Sequence, residues 1–188
     1  DIEYKYPFGF KELYGLAHRS DFDLSQHAKY SGQKLEYMDP ISGERYVPHV
    51  LEPTFGVDRT MLATLLSAYV KEPVGENDER VVLKFPPRIA PVKVAVFPLM
   101  KNKPHLVEKA RSVFDLLRNE IPQIMWDDNG NVGKRYRRQD EIGTPYCVTV
   151  DFDSLEDDTV TVRDRDTMQQ ERIAMAELTV FLKGKIQG

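Results

Sequence analysis

Eight residues, Glu52-Pro-Thr-Phe-Gly-Val-Asp-Arg59, place a carboxylate, a hydroxyl and a guanidinium within one strand-to-helix turn. Glu52 is predicted near the end of a strand, where a side chain can reach into a crevice and hold a cation. Pro53 stiffens the strand exit, and Gly56 lets backbone pass close to a ligand. Arg59 falls in the first turn of the next helix. Cations are unfavourable there, but an anion such as phosphate is welcome, so a ligand phosphate would explain an arginine at this place. The competing explanation is a surface ion pair of Arg59 with Asp58 or Glu52.

Two further constellations stand out. In Gly9-Phe-Lys-Glu-Leu-Tyr-Gly-Leu-Ala-His-Arg-Ser-Asp-Phe-Asp23, Glu12 lies among aromatics, followed by Arg19, Asp21 and Asp23. A buried carboxylate needs a partner, and a ligand ammonium would serve. A solvated strand face explains the same residues. Lys134, Arg135, Arg137 and Arg138 surround Tyr136 in one short segment. Phosphate contact and base stacking use these residue types. So does an ordinary solvated helix, and four cations in five positions cannot share one helix face. The four histidines, His18, His27, His49 and His105, have no His or Cys neighbour at metal-ligand spacing. No phosphate-binding loop, dinucleotide glycine fingerprint or nucleophile elbow is present.

The elements that must position these groups follow from periodicity. Residues 5–19 read as strand, and Ser20 or Asp21 is expected to cap a short helix that Gly32 ends. Residues 44–52 read as another strand, with Pro48 at an irregular or edge position. Val57, Met61, Leu65 and Tyr69, with Leu62 and Leu66, predict one broad apolar helix face packed on a sheet. Lys71–Pro91 mixes prolines, glycine and acids and has little to bury, so the joint between two domains is expected there. Beyond it, residues 91–99 suit a strand buried on both faces. Pro104 opens a helix, residues 123–126 form a strand, and 132–142 a basic helix closed by Gly143. Residues 145–152 form a third strand, 158–175 a hairpin, and 176–186 a helix. The order β-α-β-α-β argues for an α/β fold, a mostly parallel sheet flanked by helices.

Composition narrows the class. Hydrophobic residues make up 41% and charged residues 30% of 188, ordinary for a globular protein. No segment approaches the roughly 20 apolar residues of a membrane span, and no signal peptide is visible. The lone Cys147 excludes an internal disulfide, sits in an apolar run and fits a reducing cytoplasm. Residues 1–80 carry 9 Lys+Arg against 14 Asp+Glu, and residues 81–188 carry 17 against 16. Any nucleic-acid contact must therefore use a local patch in the second half rather than bulk charge.

Phe8–Gly32 together with Tyr46–Ala63 resembles the C-terminal part of the catalytic domain of glycyl-tRNA synthetase, the dimeric class II kind. Arg88–Asn102 and the remainder of the chain resemble its anticodon-binding domain. The Glu-Pro-Thr-Phe-Gly-Val-Asp-Arg stretch is similar to that family's class II motif 3. The resemblance implies domains at 1–75 and 91–188 with a linker at 76–90, the first being part of a class II antiparallel sheet with its motif 3 helix. It implies that Arg59 contacts ATP phosphate across the adenine and that Glu52 binds the glycine ammonium. Glu12 matches a second glycine-site glutamate. Thr54 stands where the family usually has serine, keeping the hydroxyl and adding a methyl. It implies tRNA(Gly) as partner, Mg2+ with ligands not placed in this stretch, and a cytoplasmic homodimer for the intact enzyme. Candidate tRNA contacts are Arg88, Lys101, Arg135, Tyr136, Arg137 and Arg138. Motifs 1 and 2 are absent, and the chain lacks an initiator Met, so it is expected to be a piece of a longer ligase with no catalytic residue of its own and an uncovered sheet. A stand-alone tRNA-binding or accessory module is the alternative.

Overall fold

A computed structural model describes residues 1–76 and 78–188. The chain forms two compact units, Asp1–Leu66 and Ser67–Gly188.

In the first unit, β1 (Ile2–Tyr6), β2 (Gly9–Ser20) and β5 (Val50–Phe55) form an antiparallel sheet in the order β1-β2-β5. Helix α1 (Phe22–Ser31) follows β2 and ends on Gly32 at φ 69°, where a left-handed residue closes the last turn. Two short strands, β3 (Tyr37–Met38) and β4 (Arg45–Tyr46), pair with each other. The strand expected over 44–52 is therefore split at Val47–His49, and its second half runs on to Phe55. Pro53 is tolerated within β5 because β5 is an edge strand.

Helix α2 (Val57–Ala68) lies on this sheet through small and hydroxyl residues rather than its expected apolar face. Ala63 is buried, while Val57, Met61, Leu62 and Leu65 are exposed. The reason is steric. Tyr4, Tyr6 and Tyr14 bring large rings to the sheet side, so the helix must offer small groups there. Tyr14 shares a 3.0 Å hydrogen bond with the Thr60 hydroxyl, and the Tyr4 hydroxyl donates to the Ala63 carbonyl at 3.4 Å. Phe10, Leu16, Leu51 and Phe55 of the sheet are also exposed, as expected for an antiparallel sheet lacking a cover.

The second unit begins with a hairpin, β6 (Tyr69–Val74) and β7 (Asp78–Leu83). The joint expected at 76–90 thus contains a strand; Asn77 within it lies outside the described residues. The segment has much to bury: Val82, Phe85, Ala90 and Arg80 are all at most 5% exposed. The main sheet has the order β12-β11-β10-β8-β9. Strands β8 (Val94–Pro98), β9 (Ile124–Trp126) and β10 (Tyr146–Val150) are parallel; β11 (Thr159–Asp164) and β12 (Gln170–Ala174) return antiparallel.

Every residue of β8 and β10 is buried. Val94, Val96, Val148 and Val150 face a core shared with α3 (Pro104–Arg118) and α6 (Met175–Gln187). Ala95, Phe97 and Cys147 face the other way, against Val132 and Tyr136 of α4 (Val132–Ile142). Burial also pushes the Cys147 thiol far above its ordinary range, so it is core packing. A helical turn missed by periodicity, α5 (Asp153–Glu156), follows β10; the Asp151 carboxylate accepts from the Ser154 amide at 3.1 Å and ends the strand two residues early.

The hairpin is locked to α4 by buried charge. Asp140, 1% exposed, accepts from Arg80 at 3.0 Å and from Arg163 at 2.8 and 3.1 Å. Arg165 donates to the carbonyls of Leu83 (3.1 Å), Gly143 (2.8 Å) and Phe85 (2.8 Å). Gly143 has φ 82°, and a Cβ there would lie 2.5 Å from the Phe85 ring and 2.7 Å from the Leu83 carbonyl oxygen. Gly143→Ala should therefore destabilise the unit by about 2–4 kcal/mol, through left-handed strain and a clash with backbone that cannot retreat. Gly184→Ala, in α6 with nothing within 4 Å of the new methyl, should stabilise it by about 0.5–1 kcal/mol. Urea unfolding of the two variants checks both signs.

Candidate functional site

The first unit gathers its charged groups around the β2–β5 ladder. Glu52 sits mid-strand opposite Ala17, and Thr54 opposite Gly15, rather than at a strand end. Partners across a ladder share a face, so Glu52 and Thr54 project to the side of Ala17 and Gly15, while Arg19 falls at a bulge between His18 and Ser20. The Thr54 hydroxyl donates to Glu52 at 3.4 Å, and Arg19 lies 3.3 Å from Glu52. Arg19 also grips Asp23 with two bonds, of 2.6 and 2.9 Å, which holds the Asp23 carboxyl below its usual range. A Cβ on Gly15 would meet Glu12 Oε1 at 3.3 Å and Thr54 Cβ at 3.9 Å. Bare backbone thus separates Glu12 from Thr54.

Arg59 pairs with Glu12, not with Asp58 or Glu52. Its guanidinium is 3.5 Å from the Glu12 carboxylate and donates to the Glu12 carbonyl at 3.0 Å. Gly56 makes this possible. The Arg59 side chain folds back over it, and a Cβ there would lie 3.0 Å from Arg59 Cδ. Glu12 and Arg59 open onto a cleft of about 420 Å³ with Tyr6, Phe8, Lys11 and Leu62, where Tyr6 and Phe8 stack at 5.1 Å. Glu12, Glu52 and Arg59 are each 41–53% exposed at the side chain, so their charges are available to a ligand. His18 and His49 also come together, with ring centroids 5.3 Å apart on adjacent chain segments. Among the described residues, no group of three or more His, Cys, Asp or Glu is arranged to hold a metal ion.

In the second unit the basic helix is built differently from the expected RNA face. Arg135 is 1% exposed. Its guanidinium donates to the carbonyls of Pro98, Asp128 (3.2 Å) and Gly130 (2.7 Å). Three backbone bonds inside the fold leave it nothing for RNA, which removes it from the contact set. Tyr136 turns inward as well. Its hydroxyl shares a 2.7 Å bond with Thr149, its ring meets Phe97 edge-on at 5.3 Å, and burial pushes its phenol pKa up. Arg137 is tied to the Asp78 carboxylate and the Glu79 carbonyl. Arg138 makes a two-pronged pair with Asp127 at 2.8–3.0 Å and also reaches the Asn129 carbonyl. By contrast, the side chains of Arg88, Lys101, Lys103 and Lys134 are exposed and make no hydrogen bond, ion pair or ring contact among the described residues.

Lys101, Lys103 and Lys134 lie on the segments around a crevice at the carboxyl ends of β8 and β9, whereas Arg88 precedes β8 and lies toward its other end. Helices α3 and α4 leave those two strands toward opposite faces. Such a reversal opens a gap between neighbouring loops, a common ligand position in α/β sheets. Lys101 and Lys103 follow β8; Asp127–Asn131 follow β9. Periodicity missed the second loop. The signal was there in Trp126-Asp-Asp-Asn-Gly-Asn131, a polar turn directly after an apolar strand.

Residues 93–185 match the family described as anticodon binding domain. The whole chain is 54% identical to a glycine–tRNA ligase of Alkaliphilus metalliredigens and 52% identical to one of Clostridium acetobutylicum, in each case over 187 residues. The chain resembles glycine–tRNA ligases along its whole length. It spans 40% of the length of these relatives. A glycine–tRNA ligase of Acetivibrio thermocellus, 54% identical over 185 residues, is matched over 39% of its length. The mixed α/β sheet of the second unit is the family's anticodon-binding fold.

Tyr136→Phe tests the inward placement of that ring. Losing the hydroxyl bond to Thr149 should cost about 1 kcal/mol in urea unfolding, with no change in affinity for RNA.

Proposed function

We propose that this chain is part of a ligase that activates glycine with ATP and transfers it to tRNA(Gly), with its second unit holding the anticodon. The observation that carries the proposal is the paired arrangement Glu12–Arg59 and Glu52–Thr54 in a chain 54% identical to a glycine–tRNA ligase. A pure binding module has no use for these exposed, oriented charges.

The division of roles follows from chemistry. A glycine ammonium offers three donors, and Glu52, Glu12 and the Thr54 hydroxyl offer acceptors around the bare backbone of Gly15. Arg59, in the first turn of α2, suits an ATP phosphate, because the helix N-terminus adds its own positive field. Both effects are positioning and electrostatics, with no covalent step at the protein. Mg2+ would neutralise phosphate charge in the intact enzyme. The exposed apolar faces of α2 and of its sheet fit a cover supplied by the rest of a longer enzyme, one that works as a cytoplasmic homodimer. No helix among the described residues is long and apolar enough to cross a membrane. In the second unit, Arg88, Lys101, Lys103 and Lys134 supply the unpaired cations for RNA phosphates.

Two outcomes are expected. The 188-residue chain alone should show no glycine-dependent pyrophosphate exchange, because it spans only 40% of the length of its relatives. In the full-length enzyme, Glu52→Gln should cut glycine kcat/KM roughly ten- to a hundred-fold while leaving the KM for ATP within about two-fold, since a charge-assisted bond contributes about 1.5–3 kcal/mol. Exchange well above background by the short chain would overturn the first expectation, and an unchanged glycine kcat/KM the second.

A further inference from the structure

We propose that the loop Asp127–Asn131 between β9 and α4 is the base-reading element of the second unit. In it, the Asp128 carboxylate accepts a hydrogen bond from the exocyclic amino group of an anticodon base, and Arg135 and Arg138 hold the loop in shape without touching RNA. The proposal rests on the anticodon-binding role of this unit and assigns its reading group.

Three observations lead there. The loop is braced from inside to a degree that a solvent loop does not need. Arg135, 1% exposed, donates to Asp128 and Gly130 carbonyls of the loop and to the Pro98 carbonyl at the end of β8. One guanidinium thereby pins both walls of the crevice. Arg138 locks the neighbouring Asp127 carboxylate with three contacts of 2.8–3.0 Å and takes the Asn129 carbonyl as well. The Asn131 side chain then accepts from the Lys134 amide at 2.9 Å and starts the helix.

The second observation is what the bracing leaves over. Asp127 is fully engaged, but the Asp128 carboxylate makes no hydrogen bond or ion pair among the described residues. Its backbone carbonyl is held by Arg135, which anchors the backbone there, and its half-buried carboxylate, attracted by the Arg135 charge, keeps its hydrogen-bond acceptor sites free. The third is its surroundings. Lys101 and Lys103, without partners among the described residues, follow the adjacent strand and supply phosphate contacts on the opposite wall. A carboxylate is acceptor-only, so it selects bases that present an amine, cytosine among them, and rejects uracil, which presents a carbonyl at the same place.

Glycine codons begin with two guanines, so the matching anticodon carries two cytosines. The test titrates the 188-residue chain with the glycine anticodon stem-loop, a scrambled-loop control, and two loops in which each cytosine in turn is replaced by uridine. Wild type should prefer the parent loop over one of the uridine loops by about ten-fold or more. Asp128→Asn, which offers a donor as well as an acceptor, should bring that ratio to within about two-fold. Arg138→Lys keeps the charge and loses the two-pronged grip. It should lower the ratio while leaving the salt dependence unchanged, as a positioning residue would. If Arg138 were a phosphate contact, lysine would replace it with the ratio intact, and that result overturns its positioning role. A cytosine-to-uridine ratio unaffected by Asp128→Asn, with the parent loop still preferred over the scrambled one, overturns the assignment of Asp128 and leaves anticodon binding standing. Equal affinity of wild type for parent and scrambled loops overturns the anticodon-binding role itself, and this proposal with it.

Discussion

The second unit is organised around one buried carboxylate. Asp140 is almost wholly out of water, and a charge in that position is stable only if its partners are supplied by the fold. They come from two directions, Arg80 on the hairpin and Arg163 on β11. Satisfying Asp140 therefore fixes three elements at once. Arg80 needs more than one acceptor, and takes Glu72 and the Arg165 carbonyl besides. Arg165 in turn directs its donors to carbonyls around Gly143. Truncating Asp140 would leave the buried Arg163 without its carboxylate partner, at a cost of about 3–5 kcal/mol.

Because Asp140 sits near the end of α4, its clamp also sets how that helix lies on the sheet. The start of the same helix carries Arg135 and Arg138 at the crevice. The apolar contacts of Val132 and Tyr136 on Ala95 and Phe97 hold the middle ground. So the shape of the loop after β9 depends on charge pairing one helix length away. Most of the unit's arginines are consumed in this work. The near-zero net charge of residues 81–188 thus understates how local the free charge is: a few lysines and Arg88 on loops, against carboxylates held in place.

The first unit is held together differently. Its sheet and α2 meet through tyrosine rings and small residues, and its large aliphatic side chains face outward. Its charges pair across short distances at the surface, where each ion pair contributes little to stability. A strand ladder and a bare glycine orient these charges. The outward apolar faces accord with a chain that spans 40% of its relatives' length.

Much of the fold was legible in the sequence because the signals were local. Strand β8 is a continuous apolar run, and it is buried on both faces. Pro104 starts α3, Asn131 and Gly143 bracket α4, and Gly32 ends α1, all through backbone preferences that need no tertiary partner. The contact of Glu52 with Thr54 was legible from spacing, since residues two apart on a strand share a face. Tertiary structure alone decided the rest. Whether a cation serves RNA or the core depends on which carbonyls and carboxylates the fold delivers to it, and those of Arg135 lie 5, 7 and 37 residues away. Arg59 chose Glu12, 47 residues away, over its neighbour Asp58. The segment 76–90 was expected as a linker for its prolines and acids; a buried arginine opposite Asp140 makes it part of the second unit. The face of α2 that packs is set by the size of rings on another element. Periodicity records which residues share a face, while the choice of partner is made by long-range pairing, where an unsatisfied buried charge costs more than any local preference can return.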